Sequence, residues 1–318
     1  MTAVYLTEAD VDALANTRMA IEAVKEAFLN LGGEAAANVP RSRAIASGIV
    51  LHTMSAAASY KGVVGWKCYT TTRQGASFLV GLYSQETGEL LALVEANRLG
   101  QLRTGATTAV AAECLAAPAA VEMGLFGAGW QAAEQLAAVA VVRHLKCAYV
   151  YSRNAAKRLA FAQQMTKRLG MEIVAVDRPQ EACEDLPIVV TATTSREPVF
   201  DGGWLAEGTL ICAIGSNWRH RAEVDTTVIR RADNVVCDSV ECCRNEAGDF
   251  ADAIEKGVFD WSRAVELADV LAGRVVGRRV PESIVLFKSV GMAIEDVALG
   301  AKVLERARRE GRGTALPF

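Results

Sequence analysis

The chain carries two hydrophobic rhythms, and they divide it into segments of different kind. Ile21, Val24, Phe28 and Leu31 recur at helical spacing within Ala20–Leu31, and Gly32-Gly33 supplies the stop. From Pro40 to Leu93 the period shortens to alternating runs at Ile49–Met54, Val63–Thr70, Phe78–Tyr83 and Leu90–Ala96. Glu86-Thr87-Gly88-Glu89 forms a hairpin turn within them, and the segment predicts an antiparallel sheet. A helix follows over Arg103–Ala116 and ends before Pro118. Short apolar runs then alternate with helical or looped stretches: Val121–Phe126, Ile173–Val176, Ile188–Thr193, Thr209–Ile214, Asn234–Asp238 and Ile284–Lys288. That order predicts an α/β domain with a doubly wound parallel sheet. The last helix, Ser289–Arg308, places Val290, Ala293, Val297, Ala301 and Leu304 on one stripe. We expect it to return to the first sheet, so that a discontinuous α+β domain (1–116 and 289–318) flanks the parallel-sheet domain (117–288).

The stretch Val121–Asn154 adds chemistry to this plan. Strand, glycine turn, helix and second strand follow one another as in a Rossmann dinucleotide-binding unit. Gly127 permits the tight turn, Gly129 lets backbone approach a pyrophosphate, and Ala132 lets the helix sit close to the sheet. Amides at the helix start, around Trp130 and Gln131, would hold the diphosphate. After the second strand come Ser152-Arg153-Asn154, where an NAD site usually shows an acid for the ribose 2′-hydroxyl. Arg153 suits a 2′-phosphate, with Ser152 and Asn154 donating hydrogen bonds. NADP(H) is therefore favoured, with NAD(H) the other candidate.

At 318 residues the chain has room for two cores, and 51% apolar with 22% charged residues is ordinary globular composition. A net charge of −3 without a basic run argues against nucleic acid or an anionic membrane as partner. No apolar run reaches a membrane span, and the acidic N-terminal stretch lacks signal-peptide features, so a cytoplasmic location is expected. Eight cysteines without a secretory signal point to reduced thiols, and the three scattered histidines offer no metal set.

The ordered motifs VPRSR, GWKCYT, TGELLAL, LRTGATTAVAAECLA, GLFGAGWQA, VTATTSREPV, AIGSN, VCDS and LFKSVGMAIEDVA together resemble the ornithine cyclodeaminase/mu-crystallin family, from about residue 5 to the C-terminus. The resemblance implies NAD(P)-linked interconversion of an amino acid and its imine, and a homodimer built through the non-Rossmann domain. It places Arg41, Lys67 and Arg103 in the family's cationic substrate cluster. Three cations around one anion would hold an α-imino acid carboxylate beside the hydride donor. Arg103 is expected at a helix start, where the dipole would add to carboxylate binding. Lys67, in an apolar strand, should have a lowered pKa and is a candidate proton donor. Arg43, two residues on and on the same strand face, rivals Arg41. Asp296 reads as a structural ion pair and stays outside the catalytic set. Thr191, Thr193 and Thr194 end a strand at the carboxyl edge where cofactors bind, and Ile214, Gly215 and Ser216 end the next and would approach the nicotinamide ribose. Ser289, Val290 and Gly291 match the family's nicotinamide-side segment, and Met54 its pocket methionine.

One departure bears on the reaction. Cyclodeaminases of this family carry an aspartate after the Gly-Ser step, whereas this chain has Asn217. An amide accepts no proton near neutrality, which disfavours ring closure of ornithine, but Asn217 can still hydrogen-bond an imine nitrogen or water and joins Arg41, Lys67 and Arg103 as a catalytic candidate. The resemblance then implies NAD(P)H-dependent reduction of a small cyclic imino acid, such as Δ1-pyrroline-2-carboxylate, to the L-amino acid. An alanine dehydrogenase-like enzyme on a linear substrate and an NADPH/small-ligand binding protein of the mu-crystallin type are the alternatives.

Overall fold

A computed structural model describes residues 2–31, 33 and 35–317. In chain order its strands are β1 (Val4–Leu6), β2 (Ala36–Ala46), β3 (Ile49–Ala58), β4 (Val63–Thr72), β5 (Ala76–Ser84), β6 (Leu90–Glu95), β7 (Glu122–Phe126), β8 (Cys147–Tyr151), β9 (Glu172–Ala175), β10 (Ile188–Thr191), β11 (Leu210–Ala213), β12 (Asn234–Cys237), β13 (Ala264–Glu266), β14 (Val285–Lys288) and β15 (Thr314–Ala315). They form a seven-stranded sheet, β15-β1-β6-β5-β4-β3-β2, and an eight-stranded sheet, β13-β12-β14-β11-β10-β7-β8-β9. The chain divides into two compact units, Met1–Ala106 with Met292–Phe318 and Thr107–Gly291, each holding one sheet.

In the first unit β2 through β6 are antiparallel neighbours, as the alternating pattern predicts. The sheet is nevertheless mixed, because β1 pairs parallel with β6 and antiparallel with β15. The terminal helix, Ala293–Glu310, returns across β2–β5 and packs on the helix Thr17–Asn30. Gly65 allows that approach, since a Cβ there would lie 2.9 Å from Val297 Cγ2. Val80, Leu82, Phe28 and Val297 are fully buried between these layers, each such side chain contributing about 1.5–3 kcal/mol.

One additional helix and two shifted helix starts differ from the sequence-based expectation. A helix at Glu8–Leu14, closed by a Thr7/Asp10 capping box, went unpredicted. The helix expected from Arg103 begins at Asn97. Its first amides, on Asn97 and Arg98, donate to the Glu8 carboxylate at 2.6 and 2.8 Å, a cap supplied from far along the chain. Arg103 is therefore a helix-interior residue, and the dipole argument for it does not hold. The terminal helix begins at Ala293 rather than Ser289, because the backbone before it turns to bond Asp238 and Gly291 adopts φ +80°. The helix Thr17–Asn30 ends where the glycine stop was expected, although Gly32 lies outside the described residues.

The second unit is an all-parallel sheet whose strands β10, β11, β12 and β14 are buried throughout, as near-continuous apolar runs require. The chain steps outward from β7 through β8 to β9, then restarts at β10 on the other side of β7. That reversal at β7/β10 is a topological switch point, where doubly wound sheets form a crevice beyond their strands' carboxyl ends. The edge strand β13 has no counterpart in the sequence pattern. Among the described residues no helix is long and apolar enough to cross a membrane, and no three His, Cys, Asp or Glu side chains group as a metal site. All eight cysteines are free thiols.

Candidate functional site

In the first unit the sheet register collects one face's chemistry into two adjacent rows. Met54 pairs with Lys67 and Lys67 with Val80; one step along, Arg43 pairs with His52, His52 with Tyr69 and Tyr69 with Phe78. Between Val39 and Ser42 the β2–β3 register shifts, a bulge that sets Pro40-Arg41 opposite Met54. Arg41 thus belongs to the Lys67 row and Arg43 to the His52 row. Met54, 4% exposed, sits in that row as a buried side chain.

The terminal helix brings two carboxylates to these cations. Lys67 Nζ donates to Asp296 Oδ1 at 2.7 Å, and Arg103 Nη1 to Glu295 Oε2 at 2.7 Å. Arg103 Nε lies 3.3 Å from the same Asp296 oxygen, so that one carboxylate serves two cations. Glu295 and Asp296 are fully buried and Lys67 is 3% exposed. Gly100 makes the space: a Cβ there would stand 3.2 Å from Lys67 Nζ. Asp296, expected only as a structural ion pair, is thus ion-paired with two of the three predicted cations. Its signal was present in the chain as adjacent acids on an otherwise apolar helix stripe, which have to be paired to be buried.

Electrostatics sort these groups by role. Burial, with Arg103 and Arg41 nearby, outweighs Asp296 and lowers the Lys67 ammonium to about 8. Arg103 is held above its ordinary value; burial opposes this, and Asp296 and Glu295 outweigh it. His52 stacks on Tyr69 with ring centroids 4.1 Å apart. Burial, with Arg43 and Arg41, lowers it to about 4, so it stays neutral in ordinary buffers. The Lys67 ammonium also lies 5.4 Å from the Phe78 ring and 5.8 Å from Tyr69. The arrangement offers a buried ammonium near its titration point beside fixed guanidinium charge.

In the second unit the glycine turn closes β7. Gly127 has φ +119°, and a Cβ on it would fall 2.6 Å from the Ala192 carbonyl oxygen, which restricts the position to glycine. Gly129 caps the helix Trp130–Arg143 with no side-chain cap bond, and a Cβ there would meet nothing within 4 Å. A helix N-terminus beside open space that side chains do not fill fits a diphosphate. Trp130 is exposed and Gln131 half-buried at that end. At the tip of β8, Ser152 is half-buried and Arg153 and Asn154 are exposed; Asn154 Oδ1 accepts from Lys157 N at 2.9 Å as a helix cap.

Several predicted ligands prove to be committed inward. Thr191 is fully buried and its hydroxyl donates to Glu223 at 2.9 Å; Thr193 donates to Glu223 from both hydroxyl and amide, at 2.7 and 2.6 Å. Ser289 Oγ donates to Asp238 at 2.7 Å, as do the Val290 and Gly291 amides at 2.8 and 2.7 Å. In the structure these hydroxyls are engaged by Glu223 and Asp238, with Thr191 and Ser289 buried and Thr193 half-buried. Ile214 and Ser216 are buried beyond β11, and Asn217 is half-buried next to them.

Fold and glycine turn together define a doubly wound α/β protein of the dinucleotide-binding type, joined to a mixed-sheet unit with a buried cation cluster. The family model for the ornithine cyclodeaminase/mu-crystallin family matches residues 1–311, and the chain belongs to that family. A Delta(1)-pyrroline-2-carboxylate reductase of Bacillus cereus is 34% identical over 241 residues, 76% of this chain and 74% of that protein. The solved Delta(1)-pyrroline-2-carboxylate reductase of Thermococcus litoralis, in complex with NADH and L-proline, superposes with a TM-score of 0.94 at 34% identity, covering 98% of this chain and 100% of the other. A probable ornithine cyclodeaminase from Bordetella pertussis Tohama I matches with a TM-score of 0.92 at 36% identity, covering 99% and 100%.

Proposed function

We propose that the protein is a nicotinamide-dependent reductase of a small cyclic α-imino acid, Δ1-pyrroline-2-carboxylate or a near analogue, yielding the L-amino acid. The observation that carries this reading is the buried Lys67–Asp296–Arg103–Glu295 cluster in a chain akin to reductases of that substrate. When bound, the reduced nicotinamide supplies a hydride to the imine carbon. Gly127, Gly129 and the start of the Trp130–Arg143 helix would hold the dinucleotide's diphosphate. With Arg41, Lys67 and Arg103 charged against Glu295 and Asp296, one net positive charge remains, complementary to one substrate carboxylate. Arg103, gripped by two carboxylates, is pre-oriented to clamp that carboxylate together with Arg41. Lys67 gives its proton to the imine nitrogen as the carbon is reduced, and a pKa of about 8 suits a donor working near neutrality. The balance is imine, reduced cofactor and a proton to amine and oxidised cofactor.

NADP(H) is the preferred cofactor in this proposal. Arg153 is exposed at the strand tip, in the stretch where an NAD site usually carries an acid. A second copy of the chain completes the assembly. Val39, Ile49, Leu51 and Val64 share the sheet face turned away from the cluster and are 53, 40, 39 and 36% exposed, an apolar patch suited to a partner.

The test is absorbance at 340 nm with NADPH and NADH in parallel across cyclic imino acids and keto acid/amine pairs. Oxidation with a cyclic imino acid supports the proposal, and oxidation only with linear pairs moves the reading to an alanine dehydrogenase-like enzyme. Silence throughout with tight NADPH retention would make the chain a binding protein. Ammonia and proline from ornithine, with catalytic NAD⁺ and no net cofactor change, would restore cyclodeamination and overturn the reading of Asn217.

A further inference from the structure

The second unit buries three charged side chains that the proposed chemistry does not use. Glu223, Asp249 and Lys288 are at most 3% exposed. Glu223 accepts from Thr191 Oγ1 and the Gly215 amide on one oxygen, at 2.9 and 2.6 Å, and from Thr193 Oγ1 and its amide on the other. Both oxygens of Glu223 are thus engaged by groups at two strand ends; burial raises its pKa, while Lys288 and the Thr193 bonds favour the charged form. The Glu223 amide in turn donates to Asp249 Oδ1 at 2.7 Å, and Asp249 Oδ2 pairs with Lys288 Nζ at 2.8 Å. Lys288 also donates to the Ser216 carbonyl at 3.0 Å.

The partners are not scattered. Thr191 and Thr193 close β10, Gly215 and Ser216 lie just beyond β11, and Lys288 is the last residue of β14. These are adjacent parallel strands, and all the bonds lie at their carboxyl ends, the edge where doubly wound sheets bind ligands. Packing there is tight: a Cβ on Gly215 would stand 2.3 Å from the Thr193 carbonyl oxygen and 2.4 Å from Glu223 Oε1. The Lys288 bond draws the Ser216 carbonyl inward. Because a peptide is planar, that bond fixes the plane of the link to Asn217 as well.

We propose that Glu223, Asp249 and Lys288 form a buried positioning network that sets the loops after β10 and β11 for the nicotinamide half of the cofactor. A hydrophobic trio could fill the same volume at less desolvation cost. What three charges add is direction, with five bonds aimed at two loops from groups that themselves never reach solvent. The inference rests on the functional reading above, so its test separates the two.

Thr191→Val is the cleanest probe, because a fully buried hydroxyl bonded to Glu223 cannot touch the cofactor. NADH fluorescence titration should show Kd raised about 3- to 10-fold, KM for NADH should rise with it, and KM for the imine should hold. Glu223→Gln, which strands donors on two loops, should raise Kd at least tenfold and reduce the emission enhancement of bound NADH. The pair Asp249→Asn/Lys288→Met removes both charges, so thermal unfolding should recover relative to Lys288→Met alone while NADH affinity stays low. Thr191→Val with the wild-type Kd, or a double variant that recovers affinity along with stability, would show a purely structural role and overturn the proposal. A wild-type protein that binds neither NADH nor NADPH would overturn the functional reading, and this inference with it.

Discussion

Asp296→Asn is the sharpest perturbation of the cation cluster. The substitution keeps shape and one acceptor oxygen for Lys67 but removes the charge shared with Arg103. At 2.7 Å a full charge pair is worth about 6 kcal/mol at an effective dielectric of 20. Asp296 divides that attraction between two cations, and the amide retains a hydrogen bond, so part of it survives. An opposite charge at contact distance typically moves a partner's pKa by about 1–3 units, or about 1.4–4 kcal/mol. Asp296 is the group that raises Lys67 against burial, Arg103 and Arg41, so its loss lowers Lys67 further below about 8.

Imine reduction uses the protonated lysine. The wild-type rate should therefore fall as pH rises through about 8, and the variant's alkaline limb should begin about 1–3 pH units lower. Above pH 8 the variant should be about 10- to 1000-fold slower, with the two profiles converging at acid pH. The assay is kcat and kcat/KM for the imine from pH 5 to 9.5 at saturating NADPH, with cofactor affinity measured alongside. A variant whose alkaline limb stays near 8, or a wild type flat through pH 9, would refute Lys67 as the donor held by Asp296. Stability has its own sign. Lys67's pKa is depressed in the fold, so between about 8 and its ordinary 10.5 the unfolded chain binds the extra proton and stability rises with pH.

Arg103→Lys discards the guanidinium fork that meets Glu295 and Asp296, and KM for the imine should rise roughly 10- to 100-fold with NADPH binding unchanged in a fluorescence titration. Gly127→Ala forces a side chain into φ +119° and against the Ala192 carbonyl; it should cost about 1–3 kcal/mol in denaturant unfolding and weaken both cofactors. Arg153→Ala should weaken NADPH by at least tenfold and NADH little, and equal losses would show that Arg153 does not meet the 2′-phosphate. Leu51→Glu on the exposed sheet face should shift the mass seen by light scattering from dimer to monomer.

Much of this protein was legible in its residues. Apolar periodicity alone separates helices from strands, and short buried runs after residue 120 announce a parallel sheet, because these are properties of neighbours along the chain. The glycine turn is equally local: strand, Gly127, Gly129 and helix follow in sequence, so their geometry is written in consecutive residues. The family resemblance pointed to Arg41, Lys67 and Arg103 as a set.

Tertiary structure decided what depends on residues distant along the chain. Glu8 moved a helix start to Asn97 and took Arg103 off the helix end, and Asp238 delayed the terminal helix to Ala293. A bulge separated Arg41 from Arg43, whose sequence spacing made them equivalent. Asp296 became the partner of Lys67 and Arg103, and Glu223 claimed the hydroxyls of Thr191 and Thr193. In each case a buried charge or an unpaired backbone amide had to find a partner, and local sequence names the need without naming the partner.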